Sequence, residues 1–180
     1  MRSVGAWSLL SLFFLLAVCP PEGFLMAKDG SAVQKPMRKD ASTEIAGLVF
    51  RVSDGDTLTL RDARGSEWRI RLHGIDSPEK GQDFGRKAGA ELARLVKDRN
   101  VRVEVLDKDK FGRMVGRVYL GDMDVNREMV RLGCAWHYRA FAPDDRELAA
   151  AEAEARREKR CIWSRPNPTP PWLFRKSNGK

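Results

Sequence analysis

Apolar and polar residues alternate along three segments of the chain, at 45–52, 57–62 and 67–75. In the third segment, Trp68 and Ile70 alternate with charged side chains. This spacing puts apolar side chains on one face of an extended chain and charged ones on the other, which predicts half-buried β-strands. Short polar turns separate the segments, so the pattern favours an antiparallel meander.

Two further strand patterns lie at 101–107 and 112–120, and three helical patterns lie at 84–99, 124–133 and 143–160. The first helix falls between the third and fourth strands, and the other two follow the last strand. This order predicts an α+β fold, a five-stranded OB-fold β-barrel with three packed helices. Asp124 and Gly133 are typical start and stop signals for the second helix.

The chain divides into four parts by composition. Residues 1–27 contain the apolar stretch WSLLSLFFLLAVC, which is shorter than the ~20 residues that span a bilayer. It is typical of a secretory signal, with an uncleaved membrane anchor as the alternative. The other parts are a polar, flexible linker at 28–43, the folded domain at 44–164, and a Pro-rich, irregular tail at 165–180.

Charge and cysteine content narrow the functional classes only slightly. The chain carries 33 Lys and Arg against 25 Asp and Glu, a formal charge of +8, which attracts polyanions such as nucleic acid. Many small basic proteins have no such partner, so charge alone is weak evidence. Cys134 and Cys161 fit either a disulfide or two buried thiols, because spacing does not give geometry. The two histidines show no zinc-ligand spacing with them.

Carboxylates cluster at the ends of the predicted strands. Asp54 and Asp56 follow the first strand, and Asp76 and Glu79 follow the third. In an antiparallel meander these ends meet, and two close carboxylates repel each other unless a cation neutralises them. Calcium suits such a site because it binds carboxylate, carbonyl and water oxygens, so the Ser77 carbonyl is a candidate third ligand. Taken alone, the DGD sequence is more often an ordinary turn.

Two arginines accompany these carboxylates. Arg71 lies on the polar face of the third strand, and Arg113 follows the turn in DKFGR. Each alone fits a solvated surface residue. Their occurrence together with the carboxylates, in this order along the chain, is much more specific.

The chain from about Ile45 to Trp163 resembles the staphylococcal (micrococcal) nuclease family. The matching stretches are VSDGDTL, RLHGIDSPE, FGRKA, DKFGR, VNREMVRLGCAW and AEAEARREKRCIW. The resemblance implies a calcium site formed by Asp56, Asp76 and the backbone carbonyl of Ser77, with Asp54 as a supporting carboxylate. It also implies catalytic roles and nucleic-acid contacts for a further set of residues: Glu79 as general base, Arg71 and Arg113 as phosphate-binding groups, and Lys110, Phe111 and Phe141 as contacts to nucleic acid.

The resemblance also brings the segments of Cys134 and Cys161 together, and so favours a disulfide between them. Two departures from the family stand out. The loop between Glu79 and Phe84 is shorter than in the archetype, and Phe111 and Phe141 replace tyrosines, so they can stack on bases but cannot donate to phosphate.

The expected function is therefore an exported, calcium-dependent nuclease that hydrolyses phosphodiester bonds of DNA and RNA, favouring single-stranded or frayed regions. We expect a secreted or periplasmic monomer with no organic cofactor and no membrane span in the mature chain. The alternative is a non-catalytic OB-fold module that binds single strands. Degenerate family members tend to lose the site residues, and all are present in this chain, which favours the enzyme.

Overall fold

The computed structural model describes residues 43–179. The signal or anchor at 1–27, and the linker except for its last residue, lie outside these residues and stay predictions. Within the described part, no helix is both long and apolar enough to cross a bilayer.

Five long strands close into a barrel, as the alternating pattern predicts. They are β1 (Thr43–Val52), β2 (Thr57–Arg61), β3 (Glu67–Leu72), β5 (Asn100–Lys108) and β6 (Met114–Leu120). Neighbours in the order β3-β2-β1-β5-β6 are antiparallel, and a parallel pairing of β3 with β6 closes the ring. In the described part of the chain, three two-residue strands complete the β-structure: β4 (Ile75–Asp76), β7 (Met123–Asp124) and β8 (Trp136–His137).

Within residues 43–179, four α-helices accompany the barrel: the three predicted ones and a fourth in the tail. They are α1 (Gly85–Val96), α2 (Val125–Arg131), α3 (Arg146–Arg157) and α4 (Pro171–Ser177), with a 3₁₀ turn at Cys161–Ser164. The N-cap prediction for α2 is confirmed, because the Asp124 carboxylate accepts from the Arg127 amide. The prediction of an irregular tail is wrong for 171–177. Pro171 occupies the first helical position, where its missing N–H costs nothing.

The barrel interior holds the apolar faces of the strands. Leu58, Leu60 and Ile70 are fully buried there, and α1 adds Leu92. Burying one such side chain contributes roughly 1.5–3 kcal/mol. Cross-strand pairs at the same level combine these residues into one continuous core, which fixes the register of β2 against β3.

Asn126 is the main polar group inside this core. Its Oδ1 accepts from the Val118 amide at 3.0 Å, and its Nδ2 donates to the carbonyls of His73 at 2.9 Å and Gly116 at 3.2 Å. These bonds tie the start of α2 to β6 and to the end of β3. Each buried partner left unsatisfied would cost about 1–3 kcal/mol, so Asn126 holds the barrel closed beside its parallel seam.

The segment after α2 packs against the segment after α3. Gly133 adopts a positive φ of 69°, and a Cβ there would lie 2.5 Å from the Arg160 carbonyl oxygen. The Ile162 amide donates to the Gly133 carbonyl at 3.2 Å. This close approach needs glycine, and it brings Cys134 and Cys161 side by side.

Cys134 and Cys161 are free thiols in the structure, with their Sγ atoms 3.5 Å apart. A disulfide requires about 2.05 Å, so the two sulfurs are reduced in this structure, and they already have the proximity that the predicted bridge needs. The Cys134 S–H donates to Cys161, which lowers the pKa of Cys161 to about 7. The same bond, with burial, raises the pKa of Cys134. Cys161 is therefore the more nucleophilic partner for disulfide exchange.

We expect Cys134 and Cys161 to be joined in protein taken from an oxidising compartment. The closed loop spans 27 residues, for which chain entropy gives roughly 3–4 kcal/mol of stabilisation, less any strain. Thiol titration of the denatured, unreduced protein measures the bridge directly. Cys161→Ser should abolish the difference in melting temperature between oxidised and reduced protein. Two free thiols in protein from its native compartment would refute the bridge and count against export.

Candidate functional site

The DGD sequence forms the turn between β1 and β2 and also carries a buried carboxylate. The Asp54 Oδ1 accepts from the Asp56 amide at 3.2 Å, and the Ser53 amide donates to the Thr57 carbonyl at 2.8 Å. A Cβ on Gly55 would lie 2.7 Å from Ala88 of α1. Glycine therefore lets the turn lie against the helix, and Asp56 points inward with only 6% of its surface exposed.

Asp76 and Ser77 join the same site from the end of the third strand segment. Asp76 lies in β4, paired with Trp136 of β8, and is 1% exposed. The amide and hydroxyl of Ser77 each donate to Asp56 Oδ2 at 2.8 Å. The structure thus brings together the two carboxylate segments that the meander was expected to join. Their roles as metal ligands stay predictions.

Arg71 bridges the two buried carboxylates. It lies in β3 opposite Thr57, its Nη2 donates to Asp76 Oδ1 at 2.9 Å, and its Nη1 forms an ion pair with Asp56. Burial lowers the pKa of Arg71, the Asp76 charge opposes that shift, and Arg113 nearby adds to it. Arginine nevertheless remains protonated in proteins, so a positive charge sits between the two aspartates.

Arg113 reaches the site from the loop between β5 and β6. Its Nε donates to Asp109 Oδ2 at 2.7 Å, and its Nη1 lies 3.4 Å from Thr57 Oγ1. Thr57 Oγ1 in turn donates to Asp56 Oδ1 at 3.1 Å. Arg113 is therefore connected to the carboxylate pair through one hydroxyl group.

Glu79 lies at the accessible side of the carboxylate pair, with about a third of its side chain exposed. Its carbonyl accepts from the Gln82 amide at 2.9 Å, and its own amide donates to Gln82 Oε1 at 3.2 Å. A Cβ on Gly85 would collide with the Glu79 carbonyl, so the short loop turns into α1 only because residue 85 is glycine. The two hydrogen bonds with Gln82 therefore hold the Glu79 backbone in place.

The three residues expected to contact nucleic acid lie at the surface. Phe111 and Phe141 are 68% and 67% exposed. The Phe111 ring lies 5.2 Å from the Lys110 amine and 5.6 Å from the Arg113 guanidinium. Phe111 is thus adjacent to the site, and Phe141 packs on Tyr138 with ring centroids 5.1 Å apart.

The donor set fits a hard divalent cation. Asp56 and Asp76 offer two buried carboxylates, and Ser77 would add its backbone carbonyl. Oxygen donors of this kind are what calcium prefers, with water completing its shell. No group of three or more Asp, Glu, His or Cys side chains with metal-binding geometry occurs within 43–179, so backbone and water oxygens would have to supply the rest.

Comparison with known proteins agrees with this geometry. A family model described as Staphylococcal nuclease homologue matches residues 69–165. The chain is 45% identical over 133 residues to an "Uncharacterized endonuclease" of Escherichia coli O157:H7, covering 73% of this chain and 86% of that protein. This chain belongs to the staphylococcal nuclease family.

Two further relatives illustrate the range of the staphylococcal nuclease family. A "Micrococcal nuclease" of Shigella flexneri is 37% identical over 148 residues, or 77% of this chain and 84% of that protein. A probable staphylococcal-like nuclease of Oryza sativa subsp. japonica is 38% identical over 141 residues, or 74% of this chain but 42% of that protein. The resemblance seen in the motifs is thereby confirmed for the family and its fold.

Two charged residues of this family member escaped the sequence analysis. Asp109 accepts at Oδ1 from the amides of Phe111 and Arg113, both at 2.9 Å, besides holding the Arg113 side chain. Arg175 of α4 donates to both oxygens of Asp76, at 2.7 and 3.2 Å, and to Glu79 at 3.0 Å. These bonds, that to Asp76 first, raise the pKa of Arg175. The sequence signal for α4 was a proline at the start of the segment, followed by Trp172 and Arg175 at a spacing of three residues, which puts both on one side of a helix.

We expect Asp109→Ala to free the loop that carries Arg113. Burial acts to raise the pKa of Asp109, but hydrogen bonds from Arg113 and the loop amides outweigh it, so the pKa lies below its ordinary value. Loop protection should therefore be complete at pH 7, and be lost as pH falls below about 4 through the lowered folded-state pKa.

Hydrogen exchange of the amides at 109–113 measures this effect. Asp122→Ala, at an exposed aspartate of the next turn, is the matched control and should leave their exchange unchanged. If Asp109→Ala leaves the exchange of these amides at the wild-type rate, Asp109 does not position Arg113.

Proposed function

We propose that the protein is a calcium-dependent nuclease that hydrolyses phosphodiester bonds of DNA and RNA. The observation that carries the proposal is the contact of one buried guanidinium, Arg71, with two buried aspartates, Asp56 and Asp76. A purely structural site would gain little from burying three charges, because desolvation offsets most of the attraction between them. Concentrating such groups at one place is typical of a reaction centre.

The cations of the site would bind the phosphodiester. Asp56, Asp76 and the Ser77 carbonyl would hold calcium, which when bound supplies positive charge to the scissile phosphate. Arg71 and Arg113 can each place N–H groups on phosphate oxygens, for which the planar guanidinium is well suited. One fixed donor to the charge that develops in the transition state is worth roughly 3–4 kcal/mol.

Glu79 would accept the proton of the attacking water. Its partial exposure gives water access to the carboxylate, while its backbone is fixed by Gln82. The carboxylate can accept the proton of a water molecule that attacks phosphorus. Asp109 keeps Arg113 extended toward Thr57, and so keeps the second guanidinium in reach of the same phosphate.

A binding module that does not cut is the second candidate, and the exposed rings of Phe111 and Phe141 favour it. Aromatic side chains next to basic groups stack on bases of single strands without sequence preference. The same rings also serve a nuclease that prefers single-stranded or frayed regions. Such a module has no need of buried aspartates, so the nuclease accounts for more of the site.

We also propose that the protein acts outside the cytoplasm as a secreted or periplasmic monomer. The signal-like composition of 1–27 supports export. The paired positions of Cys134 and Cys161 are compatible with an oxidising compartment.

Calcium should be required for cleavage. We expect the protein to cut single-stranded DNA, duplex DNA and RNA with calcium, and to lose this activity in excess chelator. Magnesium should support less turnover because its strict octahedral demand fits two carboxylates, a carbonyl and water less well. Strand cleavage followed on gels with each metal is the measurement, and full cutting in chelator would refute the metal assignment.

Glu79→Gln should lower kcat by about 10²–10⁴-fold while nucleic acid still binds, because only proton transfer is removed. Arg71→Lys and Arg113→Lys should each lower kcat by about 10²–10³-fold, since lysine keeps the charge but loses the planar contact. Arg69→Ala is the control, since Arg69 lies on the same strand and its side chain is exposed.

Thermal unfolding of each variant distinguishes a loss of catalysis from a loss of stability. If a variant loses activity only because its melting temperature collapses, the substituted residue has a structural role. Wild-type protein that binds single strands but cuts none of the three substrates with calcium would favour the binding module.

A further inference from the structure

The segment 165–177, called here the C-terminal strap, is held against the barrel at several points. The Gln82 Nε2 donates to the Thr169 carbonyl at 2.5 Å. The Trp172 ring stacks on Tyr138, with centroids 5.1 Å apart and planes 11° from parallel. Its edge meets Trp136, and Pro171 is buried. The strap therefore has its own docking surface, next to strands β4 and β8.

This docking places Arg175 on the carboxylates of the candidate site. Trp172 and Arg175 are three residues apart in α4, so they lie on the same side of the helix. When Trp172 stacks on Tyr138, the Arg175 guanidinium reaches both oxygens of Asp76 and one oxygen of Glu79. Asp76 Oδ1 also accepts from Arg71, so both of its oxygens are engaged.

A divalent cation would need the same oxygens. Asp76 is 1% exposed with the strap in place, so its carboxylate is not open to a hydrated ion in this arrangement. Arg71 contacts only Oδ1 of Asp76, so Oδ2 is the oxygen left for a calcium ion, and Arg175 occupies it at 2.7 Å. Arg175 and the metal therefore compete for Asp76.

We propose that the C-terminal strap is an autoinhibitory clasp, in which Arg175 takes the place of calcium on Asp76 and also engages the Glu79 carboxylate, so that strap docking and calcium binding exclude each other. The proposal rests on the calcium site of the proposed function. By linkage, the strap weakens calcium binding by the same factor by which calcium weakens strap docking.

The strap has the properties of a reversible element. Its helix has seven residues, too few to be stable alone in water, so α4 depends on its contacts with the barrel. Those contacts include one hydrogen bond, one stacked ring and one ion-pair cluster in which Arg175 remains about one-third exposed. The strap residues lie outside the main barrel core, and Trp172 packs against a smaller cluster around Trp136, so release of the strap would uncover that cluster and leave the barrel core intact.

Calorimetric titration with calcium tests the competition. Arg175→Gln removes the competing charge, and Lys176→Gln is the matched control because it removes the same charge from the next residue, for which the described region shows no ion pair. If the strap is docked in about 90% of the molecules, Arg175→Gln should lower the apparent Kd for calcium about tenfold. Lys176→Gln should leave it within about twofold of the wild type.

The Trp172→Ala variant distinguishes an effect of strap docking from an effect of the Arg175 charge alone. It loosens the docking without touching the carboxylates, so it should also tighten calcium binding. Tightening by Arg175→Gln alone would overturn the strap and leave only a local charge effect. Hydrogen exchange of 171–177 gives an independent readout: calcium should speed it in the wild type, and unchanged exchange at saturating calcium would overturn the exclusion.

The outcomes distinguish this proposal from the proposed function. Equal or weaker calcium binding by Arg175→Gln, in protein that still cuts nucleic acid with calcium, overturns the clasp alone. Absence of calcium binding by both wild type and Arg175→Gln overturns the calcium site and the clasp together.

Discussion

The ion-pair cluster of Asp56, Asp76 and Arg71 joins three separate segments of the chain at one point on the barrel. Two carboxylates that are almost fully buried sit on either side of one guanidinium. Removing one partner of such a cluster typically costs about 3–5 kcal/mol, because a charge is left buried and unpaired. The DGD turn, the Ser77 hydrogen bonds and the Thr57 hydroxyl all serve to keep this arrangement in place.

The barrel and the central cluster could be predicted from the sequence because their signals are local. Alternation placed Ile70 and Arg71 on opposite faces of one strand, and the end of that strand had to meet the DGD turn. The Asp124 cap could be predicted in the same way, because an aspartate just before a helix commonly caps the first turn of that helix. Family resemblance then supplied roles that spacing alone could not.

The fourth helix and its arginine were not predictable in the same way. The tail has four prolines before Trp172, a composition that favours irregular chain, and α4 forms on the barrel surface rather than from strong propensity. Asp109 was missed because a loop aspartate three residues before a glycine looks like any turn residue. Its three bonds to Phe111 and Arg113 depend on the folded course of the loop.

The parallel seam between β3 and β6 has a consequence for folding. It pairs Arg71 with Val115. It therefore joins β3, which carries Arg71, to β6, which directly follows Arg113. The partners are more than forty residues apart in the chain, and contacts of that separation are entropically costly to form. An incompletely closed barrel therefore holds its two guanidiniums apart. In the proposed nuclease, both arginines would reach one phosphate only after ring closure, so a nascent or partly unfolded chain would not cleave nucleic acid.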